Sequence, residues 1–445
     1  MSTMPILRTA RLRISCISQI QNRLYTQLKS STVRANAAKR LGYVSIAGVI
    51  TVSGIWFSIA GFDDVPRFEE SLPKLSTAAR SDASKAEVTR RLSQAAYSHK
   101  VWRIAGVDRY DGAQLASNSP CEDRFIHGRH ASPWNDDDSA WMAWAVFDGH
   151  AGWQTADLLE KQLLSIAERV QPLPEKMQQI APGFAGSCAL LSLYDPTTRR
   201  LHVACTGDSR AVLGQLDADG SWKAVPLSID QTGKNGEEIA RLRREHPGEE
   251  EDIINNGRVL GLGVSRTFGD GQWKWPMELQ RDFSKRFMGP GFLTPKYKYE
   301  TPPYITAEPV VTTTKIEPEK VYFLILATDG LWESVSSQES VDLVATWLQT
   351  TSQGSERKTK IAEPTYGPFD FTEWWNGTTW AFMKERTIVQ DSNAAVHLVR
   401  NSLGGNHHEM IAGRLAIDSP FSRRLRDDIT VQVVFFNGVT DAIKK

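Results

Sequence analysis

From about residue 100 onward, short apolar runs alternate with turn residues, the spacing expected of strands. "WMAWAVFD" (141–148), "GSCALLSLYD" (186–195), "RLHVACTGD" (200–208) and "RAVLGQL" (210–216) read as strands, and "DPTTRR" reads as a hairpin turn between two of them. "VYFLILATD" (321–329) and "DITVQVVFF" (428–436) are longer and more strongly apolar. Helical spacing is clearest over 153–170, where Leu159, Leu163, Ile166 and Val170 share a face. A second helix is expected over roughly 237–245. A third follows Ser336-x-x-Glu339, a capping box in which each side chain satisfies the other's backbone N–H. Strands outnumber helices and do not follow a strict βαβ order. This pattern predicts an α+β fold with stacked sheets rather than a doubly wound parallel sheet.

The first 62 residues follow different rules. Residues 1–41 are rich in Arg, Ser and Thr and hold no acid, the composition of a mitochondrial presequence. Such a cationic segment is drawn inward by a negative-inside potential, about 2.3 kcal/mol per charge per 100 mV. "GYVSIAGVITVSGIWFSIAGF" (42–62) carries no charge. As a helix it is about 31 Å long, matching a hydrocarbon core of about 30 Å. Two readings stand: a single anchor in the mitochondrial inner membrane, or an apolar tail removed with the presequence. Residues 63–100 read as a polar tether, and 101–445 as the folded domain.

The chain has 445 residues, 41% of them hydrophobic, enough for a sizeable core. Its formal net charge is zero, but eight basic residues precede the first acid, Asp63. The remainder holds 44 basic and 52 acidic residues, a balance of about −8, which argues against nucleic acid as a partner. Cys16, Cys121, Cys188 and Cys205 show no CxxC spacing and read as reduced thiols.

Acids stand at several strand ends. Asp148 closes 141–148, Asp329 closes 321–329, and Asp427 and Asp428 precede the last strand. Glu122 and Asp123 precede another short strand. Each alone is an ordinary turn former. Brought together, they repel, and ionised groups held out of water cost several kcal/mol each unless neutralised. No cluster of Lys or Arg accompanies them, so a divalent cation is the natural neutraliser. An all-oxygen donor set favours Mg²⁺ or Mn²⁺ over zinc. Gly149 and Gly330 each follow such an acid and permit close backbone approach. Two metals sharing a carboxylate polarise a bridging water and clamp a phosphoryl group for in-line attack.

"AVFDGHAGW", "CTGDSRAVLG", "LGVSRTFGD", "LATDGLWE" and "RDDITV" resemble, in order, the motif set of the metal-dependent serine/threonine phosphatases of the protein phosphatase 2C family. The resemblance spans about residues 108–436. "LASNSPCEDR", "DQTGKN", "REHPGEE" and "TPPYITAEP" resemble its pyruvate dehydrogenase phosphatase branch. The resemblance implies a central β-sandwich of two mainly antiparallel sheets flanked by helices, four layers in the order αββα. It implies two bound ions, Mg²⁺ or Mn²⁺, and a mitochondrial phosphoprotein substrate, of the pyruvate dehydrogenase type in that branch. By position, Asp148 bridges both ions, Gly149 offers its carbonyl to one, and Asp329 and Asp427 hold the other. Glu122 and Asp123 orient waters around them. His150 is the implied general acid for the leaving serine or threonine oxygen, a role suited to imidazole near neutral pH. In "GDSR", Asp208, Ser209 and Arg210 read as turn formers; Asp270 either forms a turn or sits near the metals.

The chain departs from the family pattern in places. Asn118 stands where many members place an arginine that contacts the substrate phosphate, Gly183 where many have an acid, and Glu333 where an aspartate is common. The stretch 165–185 is trimmed relative to the usual length, and 350–425 reads as an insert of unreadable function. Two rival readings accompany the phosphatase: a catalytically impaired, anchored binding protein on the same fold, and a metal-dependent nuclease, against which the acidic balance and motif order count.

Overall fold

The long apolar runs become the central strands of two antiparallel sheets. The sandwich strands are β1 (Tyr97–Lys100), β2 (Val107–Leu115), β3 (Arg124–Ala131), β4 (Ala140–Phe147), β5 (Ala189–Asp195), β6 (Arg200–Thr206), β7 (Arg210–Leu216), β8 (Trp222–Pro226), β9 (Val310–Lys315), β10 (Tyr322–Ala327) and β11 (Ile429–Phe436). The six-stranded sheet runs β1-β2-β11-β10-β7-β8, and the five-stranded sheet runs β9-β6-β5-β4-β3. In the first, Ile325 pairs with Val433 on one side and Val212 on the other. The DPTTRR hairpin joins β5 to β6 with Asp195 opposite Arg200. The structure, a computed structural model, describes residues 83–102, 104–131, 140–164, 181–287, 296–352, 381–419 and 421–438.

All six residues of β10 are buried. Tyr322, Leu324 and Leu326 enter the core between the sheets, with Trp144, Val146, Leu190 and Phe436. Phe323, Ile325 and Ala327 face the opposite way, into a second core closed by helices. With both faces covered, the two-residue alternation disappears and the strand reads as one apolar run. The helices over this sheet are α1 (Lys85–Leu92), α5 (Ser337–Ser352), α6 (Ala394–Leu403) and α7 (His408–Ala416). Over the other sheet, α2 (Gln154–Gln162) packs Ala156 and Leu159 against Ala145, Phe147 and Ala189. The layering is αββα, in agreement with the expected class. Among the described residues the remaining longer helices are α3 (Gly236–Glu245) and α4 (Met277–Phe287).

The capping box forms as expected. Ser336 N–H donates to Glu339 Oε2 at 2.8 Å, and Glu339 N–H donates to Ser336 Oγ at 3.3 Å. One expectation needs correction. The last part of the 63–100 tether belongs to the domain: Val88 and Leu92 are buried in the helix-covered core, and β1 pairs with β2. The period-3.6 face of α1 supplies that burial. Within the expected 350–425 insert, the described residues 394–403 contribute to the core. Every residue of α6 is buried, and Asn393 caps it while donating to the Tyr97 carbonyl at 2.7 Å.

The presequence and span expected at 1–41 and 42–62 lie outside the described residues, as do 63–82, 165–180 and 353–380. The expected helix over 153–170 is described as Gln154–Gln162. Among the described residues no helix is long and apolar enough to cross a membrane. Cys121, Cys188 and Cys205 are free thiols.

Candidate metal centre

Strands from both sheets end at the same place. In one sheet β4 stops at Phe147 and delivers Asp148; in the other, β10 leads through Thr328 to Asp329, which opens a single helical turn, Asp329–Trp332. Asp427 and Asp428 stand just before β11, the neighbour of β10. The two adjacent acids divide their work. Asp428 turns to the loop before β3, accepting N–H bonds from Asn118 and Glu122 at 2.8 Å each, and a further one from Ser117. That clamp fixes the segment carrying Glu122 and Asp123. Asp123 Oδ2 accepts from the hydroxyls of Thr328 at 3.0 Å and Thr430 at 2.7 Å.

Two glycines make the approach possible. A Cβ on Gly149 would lie 2.3 Å from the Glu122 carbonyl oxygen, and one on Gly330 would lie 2.2 Å from that of Asp428. Side chains at either position would push these main-chain segments apart.

The acids form two groupings. Carboxylate oxygens of Asp148 and Asp208 lie with the Cys188 thiol within 4.8 Å of one another; Asp329, Glu333 and Asp427 lie within the same span. Burial, and then the charge of Asp329, push the Asp148 carboxyl well above the carboxylate range, with Asp123, Asp427 and Asp208 adding to it. Burial and Asp329 likewise raise Asp427, with Arg423 opposing. Burial and neighbouring acids push Glu122 and Asp208 up to about 7. Asp123 Oδ1 and Asp329 Oδ1 are buried without a hydrogen-bond partner.

These features fit a hard divalent cation. The carboxylates outnumber the cations near them, and unpartnered buried oxygens are costly unless something positive meets them. Cys188 does not soften the donor set. Its thiol lies 3.2 Å from Asp208 Oδ1 as donor, and burial holds its pKa far above neutrality, so it remains protonated.

His150 stands beside this cluster on a small three-stranded ribbon. Gly149–His150 pairs with Gly186–Ser187, which pairs with Phe268–Gly269. His150 Nε2 meets Asp270 Oδ2 at 2.8 Å. Burial alone would lower the imidazole pKa, but the Asp270 carboxylate outweighs it, with help from Asp208 and Glu122, and the net shift is upward. Gly186 leaves the room for this pair: a Cβ there would lie 2.0 Å from His150 Nε2 and 2.3 Å from Asp270 Oδ2. Asp270 itself takes a left-handed backbone, φ 48°. The strand leading to it is anchored by Arg266, whose Nε and Nη2 reach Glu238 Oε1 at 3.0 and 2.7 Å. Burial alone would raise Glu238, yet Arg266, Arg241 and Ser265 hold it down at about 2.

The structure thus gathers Asp148, Asp329, Asp427, Glu122 and Asp123, with Gly149 against the loop and His150 alongside. Asp270 both shapes a turn and meets His150. Asp208 is more than the turn former that its motif suggested. Its signal was present in the sequence, since it ends "CTGD" much as Asp148 ends "AVFD". Glu333 was noted only as a departure from the family's aspartate, and Arg423 was missed; each lies four residues from an acid of the cluster, Asp329 and Asp427.

The protein phosphatase 2C family model matches residues 173–366. A protein phosphatase 2C homologue of Schizosaccharomyces pombe is 37% identical over 75% of this chain and 82% of its own length. The mitochondrial [pyruvate dehydrogenase [acetyl-transferring]]-phosphatase 1 of Saccharomyces cerevisiae is 34% identical over 76% of this chain and 70% of its own. The human protein of the same name is 38% identical over 57% of this chain and 48% of its own.

Proposed function

The chain belongs to the protein phosphatase 2C family and is a protein serine/threonine phosphatase, and from this premise we propose that its hydrolysis depends on Mg²⁺ or Mn²⁺ held by Asp148, Gly149, Asp329 and Asp427. The observation that carries the reading is the pair of acid groupings, with Asp427 buried and Asp148, Asp208 and Asp329 half-buried, together with the unpartnered buried oxygens of Asp123 and Asp329 and the neighbouring His150–Asp270 pair. Asp208 and Glu333 complete the two groupings. A bound divalent ion supplies Lewis acidity toward water and neutralises charge on a phosphoryl group.

The chain's own residues do the rest. Asp428 and the two threonine hydroxyls hold Glu122 and Asp123 in place beside the acids. His150, whose pKa Asp270 shifts upward against the effect of burial, gives its Nδ1 proton to the serine or threonine oxygen as the P–O bond breaks, its Nε2 facing Asp270. Asp270 orients that ring and supports its charge.

A mitochondrial phosphoprotein, of the pyruvate dehydrogenase type, is the proposed substrate class. The names of the yeast and human relatives and the acid-free composition of residues 1–41 support it. The membrane-anchor reading of 42–62 and the layout of presequence, span, tether and catalytic domain rest on the sequence. Hydrolysis of a phosphoserine peptide with Mn²⁺, absent after chelation, tests the activity. A reporter fused to residues 1–70 tests the address: mitochondrial import supports it, and a cytosolic reporter defeats it.

A further inference from the structure

Among the described residues Arg414, Arg426, Arg124 and Arg423 lie near the acid cluster, and the first three turn terminal nitrogens to backbone carbonyls. Arg414 donates to the carbonyls of Ser402 and Leu425. Arg426 donates to those of Arg414, Ile417 and Ala116. Arg124, next to Asp123 in sequence, donates to the carbonyls of Cys121 and Asp123 and turns its charge toward Asp157 and Glu160. Arg423 differs. Its side chain is 49% exposed, and its described partner is a single carboxylate, Asp427. It also lies in the field of Asp329, Asp148 and Glu333. A guanidinium presents five N–H donors in a planar fork, and one carboxylate occupies two of them at most.

The backbone around Arg423 is fixed against the loop of Asn118. Ser422 Oγ donates to the Ser117 carbonyl at 2.5 Å, and Ser117 Oγ donates to the Arg426 carbonyl at 2.7 Å. The immediate neighbours of Asn118 and Arg423 are therefore bonded to one another. Asn118 itself brings no charge, and its amide is occupied with Asp428 at 3.2 Å. Position 118 thus offers no cation, while a half-exposed guanidinium stands next to it.

We propose that Arg423 grips the substrate's phosphoryl group, a phosphate monoester dianion, from a position adjoining Asn118. The proposal rests on the phosphatase reading. Arg423 is drawn to Asp427 by charge; once the acids are neutralised, a dianion with oxygens spaced for the fork is the better partner.

The test uses the full chain saturated with Mn²⁺ and inorganic phosphate as the probe. Phosphate is measured as a competitive inhibitor of p-nitrophenyl phosphate hydrolysis and, separately, by the thermal shift it causes. Removing charge-assisted hydrogen bonds in Arg423→Ala is expected to raise the phosphate Ki by about tenfold to a hundredfold and to abolish the thermal shift. KM should rise more than kcat falls. Arg423→Lys keeps the charge and loses the fork; it gives a smaller rise and serves if the alanine variant does not fold. An unchanged phosphate Ki and an unchanged thermal shift in the folded variant overturn the role of Arg423. Absence of Mn²⁺-dependent hydrolysis in the wild type would instead overturn the phosphatase reading beneath it.

Discussion

His150 and Asp270 are 120 residues apart in the chain and 2.8 Å apart in space. The pair has consequences for the pH dependence. Asp270 lifts the imidazole above its ordinary value against the opposing effect of burial. In Asp270→Asn only the downward pull of burial and weaker fields remain, so His150 loses its proton at lower pH. The alkaline limb of kcat, which follows loss of the general acid's proton, is expected to move to lower pH. An unmoved limb in the Mn²⁺-saturated enzyme would contradict the pairing.

His150→Ala removes the proton donor itself. Loss of a general acid costs about 10²–10⁴-fold. A serine alkoxide needs that proton to leave, whereas p-nitrophenolate does not. The loss in kcat is therefore expected to be larger on a phosphoserine peptide than on p-nitrophenyl phosphate. Equal losses on both substrates would remove His150 from the role.

Gly186→Ala tests the same pair from the other side. The new Cβ meets the ends of two side chains rather than backbone, so the fold can yield locally. The expected result is a large drop in peptide turnover with little change in melting temperature. A fully active variant would mean that the His150–Asp270 contact is dispensable.

A fourth prediction concerns stability. His397 is buried in α6; its Nε2 faces the Leu343 carbonyl at 3.0 Å and its Nδ1 faces Asn401 Nδ2 at 3.1 Å. That arrangement suits the neutral ring, and burial lowers its pKa from 6.5 to about 4. The unfolded chain therefore binds the proton first as pH falls. The stabilising contribution is complete above 6.5 and is lost progressively down to about 4, at about 1.4 kcal/mol per pH unit. Urea unfolding of wild type and His397→Gln should show a stability gap that narrows from pH 7 to pH 5. A gap independent of pH would contradict the neutral assignment.

Legibility from sequence followed the reach of each signal. β7 falls over "RAVLGQL" and α5 begins at the capping box, because both signals are local. The acids of Asp148, Asp329 and Asp427 were legible because each interrupts or adjoins an apolar strand. Asp208 read as a turn former and Glu333 only as a departure from the family's aspartate, since a turn acid and a helix acid acquire meaning only when other elements arrive beside them. α6 was hidden for a different reason. It is buried all round, so no polar face marks its period. α1 was read as tether because only Val88 and Leu92 of its short span enter the core.

The account depends most on Asp148, the acid whose environment joins both groupings. Its direct test is Mn²⁺ binding followed by titration calorimetry on wild type and Asp148→Asn, with turnover measured on the same samples. Wild type is expected to bind Mn²⁺ and to gain activity in step with it. Asp148→Asn is expected to lose Mn²⁺ affinity and to drop in kcat by orders of magnitude, because the residue prepares the ion site for catalysis. Undiminished Mn²⁺ binding with normal turnover in Asp148→Asn would contradict the metal-centre assignment.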